Sequence, residues 1–170
     1  MLKTLTAAVV AASAISAHAV QLNPIGQIQL GQGEGFAEMI RYHADSQRLY
    51  VTSSETGSLS AVSLMVPASP MLTNGIDLNG GDVTAVAIHG DKIAASIKDG
   101  QNPGQVLLFN ARGEQIAGFE TGALPDNVAF SPDGRWLITA NEGEPSDDYQ
   151  NDPQGSFTLV DLRDNSVRQI

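Results

Sequence analysis

The sequence of 170 residues predicts an all-β fold of the β-propeller type, about three blades of it. Three observations carry the prediction. One layout recurs three times: a short apolar strand, a polar turn, a basic residue and a second apolar strand. The copies are Ala37–Ser54 (AEMIRYHADSQRLYVTSS), Val83–Lys98 (VTAVAIHGDKIAASIK) and Asp126–Asn141 (DNVAFSPDGRWLITAN). Their basic residues, Arg48, Lys92 and Arg135, stand 44 and then 43 positions apart. The turn chemistry recurs with the step. Its clearest case is Ser131-Pro132-Asp133-Gly134, where Pro presets φ and Gly takes the positive-φ position. A period of about 40–45 residues with three or four strands per unit is that of propeller blades. A β-sandwich would not hold a constant step, and β-helix repeats are much shorter.

From the N-terminus, Met1–Ala19 has the layout of a secretory signal peptide. Lys3 gives a positive start, Thr4–Ile15 (TLTAAVVAASAI) is uncharged and mostly apolar, and Ala17-His18-Ala19 is a small-x-small cleavage site. The apolar run is shorter than the roughly 20 residues that span a bilayer, and no Cys follows Ala19 to carry a lipid. Residues 20–170 are then a partial propeller domain. Ile25–Leu30 (IGQIQL) reads as a strand able to close a ring by joining its last blade. The repeat units cover residues 33–64, 80–110 and 122–162, ending in third strands at Ser58–Leu64 (SLSAVSL), Gly104–Asn110 (GQVLLFN) and Gly155–Leu162 (GSFTLVDL). These strands rest on β-branched and aromatic enrichment, alternation, and Gly/Pro/Asp punctuation. Propellers close with about 4–8 blades. Three units are therefore expected to be the N-terminal part of a longer ring, with assembly of several copies as the alternative.

Composition excludes several classes. Nine Lys+Arg against 19 Asp+Glu give a formal charge of −10, which becomes −11 when Lys3 leaves with the signal peptide. Such a surface repels phosphate backbones, so nucleic acid is not an expected partner. The absence of Cys removes disulfides, thiolate catalysis and Cys-ligated zinc or iron–sulfur centres. No second apolar run of spanning length follows Ala19, so no transmembrane segment is expected after cleavage. The expected location is the periplasm, the medium or the cell surface. The expected partners are an extracellular ligand or surface component and the remaining blades of the parent chain.

Strands a to d of a blade run from the central channel outward, so alternate loops lie on opposite faces. The a–b turns are His43–Gln47, His89–Asp91 and Ser131–Gly134. The b–c loops and the starts of the a strands share the other face. Glu38, Thr84 and Asp126 align there, near the channel mouth, with Asp82 close by. On the same face falls EGEPSDDYQND (Glu142–Asp152). It packs Glu142, Glu144, Asp147, Asp148 and Asp152 into eleven residues, and no Lys or Arg occurs from Trp136 through Leu162. Hard oxygen ligands suit Ca²⁺, which takes about six to eight oxygens at flexible geometry, and a divalent cation relieves the repulsion among them. Those five residues and Asp126 are the candidate calcium ligands. The spacing is not that of an EF-hand, and the plainer reading is a solvated acidic loop.

No catalytic residue can be assigned. His43 and His89 occupy equivalent a–b turns, with Ser131 the third occupant, so a Ser–His–Asp relay is not expected to assemble with the carboxylates of the opposite face. There is no G-x-S-x-G elbow. Gly31–Gly35 (GQGEG) lacks the Lys-Ser/Thr of a P-loop and reads as a flexible lead into the first blade. No organic cofactor is indicated. Trp136, Phe130, Phe157 and Tyr50 read as packing between blades, and Arg48, Lys92 and Arg135 as solvent-facing strand starts.

Three stretches resemble the choice-of-anchor I family of exported β-propellers. Gly33–Ser54 (GEGFAEMIRYHADSQRLYVTSS) is similar to its opening blade, and Gly80–Glu114 to its second. Gly122–Leu162, which contains NEGEPSDDY (Asn141–Tyr149), is similar to its signature segment. The resemblance implies a ring of about seven blades in a longer exported protein, often with a variable C-terminal anchor. Relatives are compared with alkaline phosphatase-like and YVTN or lactonase-type propellers, although one fold hosts many functions. The functional reading is an exported module for ligand or surface recognition, braced by calcium. The alternative is a calcium-dependent hydrolase of phosphate esters or lactones. There, carboxylates from several blades would hold the metal while it polarises the substrate and activates water.

Overall fold

The computed structural model describes residues 21–170, so the leader predicted over Met1–Ala19 lies outside the described residues. The described residues form twelve strands and no helix. The first sheet holds β1 (Ile40–His43), β2 (Arg48–Ser53), β3 (Ser58–Ser63) and β4 (Met71–Asp77). The second holds β5 (Asp82–His89), β6 (Lys92–Asp99), β7 (Asn102–Asn110) and β8 (Gln115–Ala123). The third holds β9 (Pro125–Phe130), β10 (Trp136–Asn141), β11 (Ser156–Asp161) and β12 (Ser166–Gln169). Each sheet is antiparallel, with its strands in chain order. The three predicted units are three four-stranded blades.

The fourth strand of each blade is not among the strands located from the sequence. Met71–Asp77 contains Asn74-Gly75, a pair that reads as a turn but forms a bulge, since Leu59 pairs with Ile76 whereas Ala61 pairs with Thr73. Gln115–Ala123 is interrupted by Gly118 and Gly122, which weaken any strand pattern. Ser166–Gln169 is exposed throughout and has no apolar alternation. Ile25–Leu30 belongs to none of these three sheets. Gln27–Leu30 instead help line a groove of 660 Å³ with Leu49, Val51 and Val62 of the first sheet.

Pairing register defines the repeat more closely than spacing does. His43 pairs with Arg48 and His89 with Lys92, while the Ser131 amide donates to the Trp136 carbonyl at 2.9 Å. The equivalent positions are therefore Arg48, Lys92 and Trp136, a constant step of 44 residues. Arg135 sits one residue earlier and is not a solvent-facing strand start. Its guanidinium lies 4.4 Å from the Trp136 ring centroid and donates to Asp161 Oδ2 at 2.8 Å. Arg163 donates to the same oxygen at 2.8 Å. The Asp161 side chain is only 5% exposed, and Arg163 first, then Arg135, holds its carboxyl well below the usual carboxylate range. This cluster ties the Ser131–Gly134 turn to the β11–β12 turn.

The core consists of two seams between sheets. Tyr50, Leu59, Ala61 and Ile76 of the first sheet meet Val83, Val86, Ile93 and Ile97 of the second. Ala94, Val106, Leu108 and Phe119 of the second meet Val128, Leu137 and Val160 of the third. β6 is buried on both sides, with Ile93, Ala94 and Ala95 each 0% exposed, so its sequence shows an apolar run rather than alternation. Full burial of a Leu, Ile or Val side chain is worth about 1.5–3 kcal/mol, which makes these seams the main source of stability. Tyr50 is buried as expected, and Phe130 packs against the second seam. Phe157 joins neither of these two seams: it is 56% exposed, on the side of β11 turned away from the second sheet.

Ile93→Ala and Leu137→Ala are each expected to cost about 2–5 kcal/mol in denaturant unfolding, whereas Phe157→Ala should stay within about 0.5 kcal/mol. Asp161→Asn lowers the melting temperature at neutral pH. Because the folded carboxyl is depressed, its stabilisation is complete above the unfolded value of about 3.9 and is lost as pH falls through and below it. The difference between wild type and Asp161→Asn in a pH series of thermal melts should shrink below about pH 4.

Candidate functional site

The starts of the three innermost strands converge. Glu38, Ser54, Asp82, Thr84, Lys98 and Asp126 line one cavity of 230 Å³ on the b–c face. Glu38 is placed by the chain leading into β1: its amide donates to the Thr52 carbonyl at 3.2 Å, and the next amide, of Met39, donates to the Thr52 hydroxyl at 2.9 Å. Asp82 opens β5 opposite Lys98, with which it forms an ion pair at 3.2 Å. Asp82 is exposed and Lys98 partly so, and the pair therefore orients the two groups more than it stabilises the fold.

Thr84 is the extra residue of a bulge, since Val83 pairs with Ile97 and Ala85 with Ser96. The bulge turns its hydroxyl toward the third sheet, where it donates to the Pro125 carbonyl and accepts from the Ser96 hydroxyl at 2.9 Å. This bond holds Asp126, the next residue, at the rim. A second link lies farther out, where the Gly122 amide of β8 donates to the Thr158 hydroxyl of β11 at 3.2 Å. Asn141 completes it from β10, donating to Ser156 at 3.0 Å and to Thr158 at 2.9 Å. The mouth thus presents three carboxylates, one ammonium and two hydroxyls from three successive blades. Such a set can accept hydrogen bonds from hydroxyl and amine groups and donate one charged bond from Lys98.

Glu38, Asp82, Thr84 and Asp126, aligned from sequence, come together as expected. Ser54 and Lys98 were not anticipated. They stand six positions after Arg48 and Lys92, so the 44-residue step would have found both, and it places Glu142 third in the series.

The acidic residues of the long loop do not join this cavity. Glu142 and Gly143 are pinned by amide bonds to the carbonyls of Leu124 at 2.9 Å and Ala123 at 3.2 Å. The tip folds on itself: the Ser146 hydroxyl donates to Asp148 at 2.7 Å, and the Gln150 amide donates to the same oxygen at 3.1 Å. These two bonds hold the Asp148 carboxyl below its ordinary value. Glu142, Glu144, Asp147, Asp148 and Asp152 are all exposed. Among the described residues no three His, Asp or Glu side chains are grouped as a metal site, and Asp126 stands in the axial cavity apart from the five loop acids. The six predicted ligands are thus not gathered into one group among the described residues.

The histidines lie at the other end of the strands. His43 is buried, and its Nδ1 accepts the Ser46 amide at 3.2 Å, which leaves the proton on Nε2. That Nε2–H is buried without a partner among the described residues. His89 packs beside Phe130, ring centroids 5.8 Å apart. Ser131, their register equivalent, donates to Asp133 at 2.5 Å. Neither ring reaches the carboxylate cavity.

Two solved structures share the architecture. The chain aligns with Kuenenia stuttgartiensis hydrazine synthase at a TM-score of 0.64 and 16% identity, covering 85% of this chain and 39% of that one. It aligns with a putative 6-phosphogluconolactonase from Bacteroides fragilis at a TM-score of 0.55 and 16% identity, covering 80% and 38%. At this identity the likeness shows the fold alone, and the chain spans about two fifths of the length of each. A comparison with curated proteins returns no match. The model of the choice-of-anchor I domain matches residues 38–170, from the first residue of the axial cavity through the last strand. The three-blade arrangement and this match together make the chain a member of the choice-of-anchor I domain family.

Proposed function

We propose that the chain serves an exported β-propeller module for ligand or surface recognition, and that its ligand sits over the axial cavity. One observation carries this reading: Glu38, Asp82 and Asp126, from three successive blades, line a single opening. Export is supported by the leader-like pattern of Met1–Ala19 and by membership of a family of anchored domains. The donor set favours a ligand rich in hydroxyl or amine groups, because carboxylates accept such bonds strongly. The propeller geometry supports a binding role in a general way, since its loops gather on one face over a rigid scaffold.

The test compares retention of the chain on glucosamine-bearing and glucose-bearing resins. Asp82→Asn combined with Asp126→Asn is expected to weaken retention at least about tenfold, equivalent to about 1.4 kcal/mol, with the melting temperature unchanged. Equal retention of wild type and variant would remove the cavity from the proposal. Turnover of a phosphomonoester or lactone, lost in the same variant and on chelation, would assign the hydrolase reading instead.

Calcium bracing of the face is proposed on the charge of the Glu142–Asp152 loop alone, and its ligands must move together to bind. A calcium-dependent rise in melting temperature, absent from Asp147→Ala and Asp148→Ala variants, is the expected result. Identical melts with calcium and with chelator would exclude it.

A further inference from the structure

The opposite face carries a second cavity with the reverse chemistry. It lies between the first two sheets, has a volume of 470 Å³, and is lined by Arg48, Tyr50, Thr73, Asn74, Arg112 and Gly113, among others. Two of the nine Lys and Arg residues of a strongly acidic chain meet there. Arg48 opens β2 opposite His43, on the side of the sheet that carries Tyr50. It was expected to face solvent as a simple strand start. Instead it is half-buried in this cleft and makes no ion pair among the described residues.

Arg112 comes from the β7–β8 turn. Its guanidinium is bonded to Glu114, Nη2 at 3.0 Å and Nε at 3.1 Å, and Asn110 fixes the same carboxylate at 2.5 Å. Arg112 is therefore oriented and partly neutralised, whereas Arg48 is uncompensated. The wall between them is shaped by the bulge in β4. Asn74 and Gly75 stand where the partner strand offers only Ser60, and a Cβ on Gly75 would come within 2.3 Å of the Leu59 carbonyl oxygen. Bulges of this kind re-aim side chains and recur beside binding sites. The Thr73 hydroxyl donates to the Ala61 carbonyl at 3.0 Å, which leaves the Arg48 guanidinium, the N–H groups of Arg112 not bonded to Glu114, the Asn74 amide and the Tyr50 hydroxyl as donors of the cleft.

We propose that this cleft binds the anionic group of a small ligand, a carboxylate or a phosphate, with Arg48 as its ionic anchor. A planar guanidinium fork matches either oxyanion in a bidentate manner. The volume falls within the about 300–1,000 Å³ usual for small-molecule sites. The acidic net charge does not oppose this: at physiological ionic strength charges beyond about 8 Å are largely screened, so a seated anion experiences Arg48 first.

Calorimetric titration of the full chain at physiological ionic strength, with inorganic phosphate, succinate and neutral glucose as probes, tests the assignment. Saturable binding of at least one anion and none of glucose is expected. Arg48→Gln should weaken it at least about tenfold and Arg48→Lys less, since Lys keeps the charge and loses the fork. Arg41→Gln, a charge removed from an exposed arginine outside the cleft, should leave it unchanged. Preference for phosphate over succinate, or the reverse, identifies which oxyanion the cleft takes. Absence of saturable anion binding in the wild type, or equal losses in the Arg48→Gln and Arg41→Gln variants, overturns the proposal. Circular dichroism reports whether Arg48→Gln folds; if it does not, Arg112→Gln and Arg48→Lys carry the comparison.

Discussion

Burial of the middle sheet on both faces is the constraint on which the rest of the structure depends. A four-stranded blade is too thin to enclose a core, so its apolar side chains must be covered by the blades on either side. β6 shows the result, with Ile93 turned to one seam and Ala94 to the other, both fully buried. Both candidate sites are positioned by these two seams. They set the angle between sheets, and that angle brings the starts of β1, β5 and β9 around one opening.

Up-and-down connectivity then divides the chemistry between two ends. The strand starts deliver carboxylates to the axial cavity, while the a–b and c–d turns at the other end carry acids and bases together, with Arg48 and Arg112 meeting in the cleft. The polar links across the seams follow the same division. Thr84 to Pro125 and Gly122 to Thr158 lie toward the carboxylate end, and the Arg135–Asp161–Arg163 cluster lies at the turn end. Each buried polar group on these paths has a partner, as a low-dielectric interior demands. His43 Nε2 is the exception among the described residues.

The parts of this arrangement that could be read in the sequence are those written in local chemistry. The Ser131–Gly134 turn forms with its Gly amide bonded to the Ser131 carbonyl at 2.8 Å, and β3 spans Ser58–Ser63 against an expected Ser58–Leu64. The outer strands were hidden because their residues answer to solvent on one side and carry glycines at bulges, as at Gly75 and Gly122. Arg135 was misassigned because a basic residue beside a turn looks equivalent to Arg48 and Lys92, and only strand pairing shows the one-residue offset. At the site, alignment of strand starts located Glu38, Asp82, Thr84 and Asp126. Crowding of five acids along Glu142–Asp152 did not translate into crowding in space: all five are exposed, and Asp148 is held by bonds within the loop tip.

That loop has a narrow neck. Glu142 and Gly143 are bonded to the end of the preceding blade, and a Cβ on Gly143 would lie 2.5 Å from the backbone of Pro153 and Gln154. Backbone meets backbone at the point where the segment leaves and rejoins the sheet, so the span between is mechanically separated from the strands that carry it. Its length and composition can drift without changing how the blades stack. A foreign peptide grafted between Glu144 and Asp152 would therefore inherit the same rigid mount.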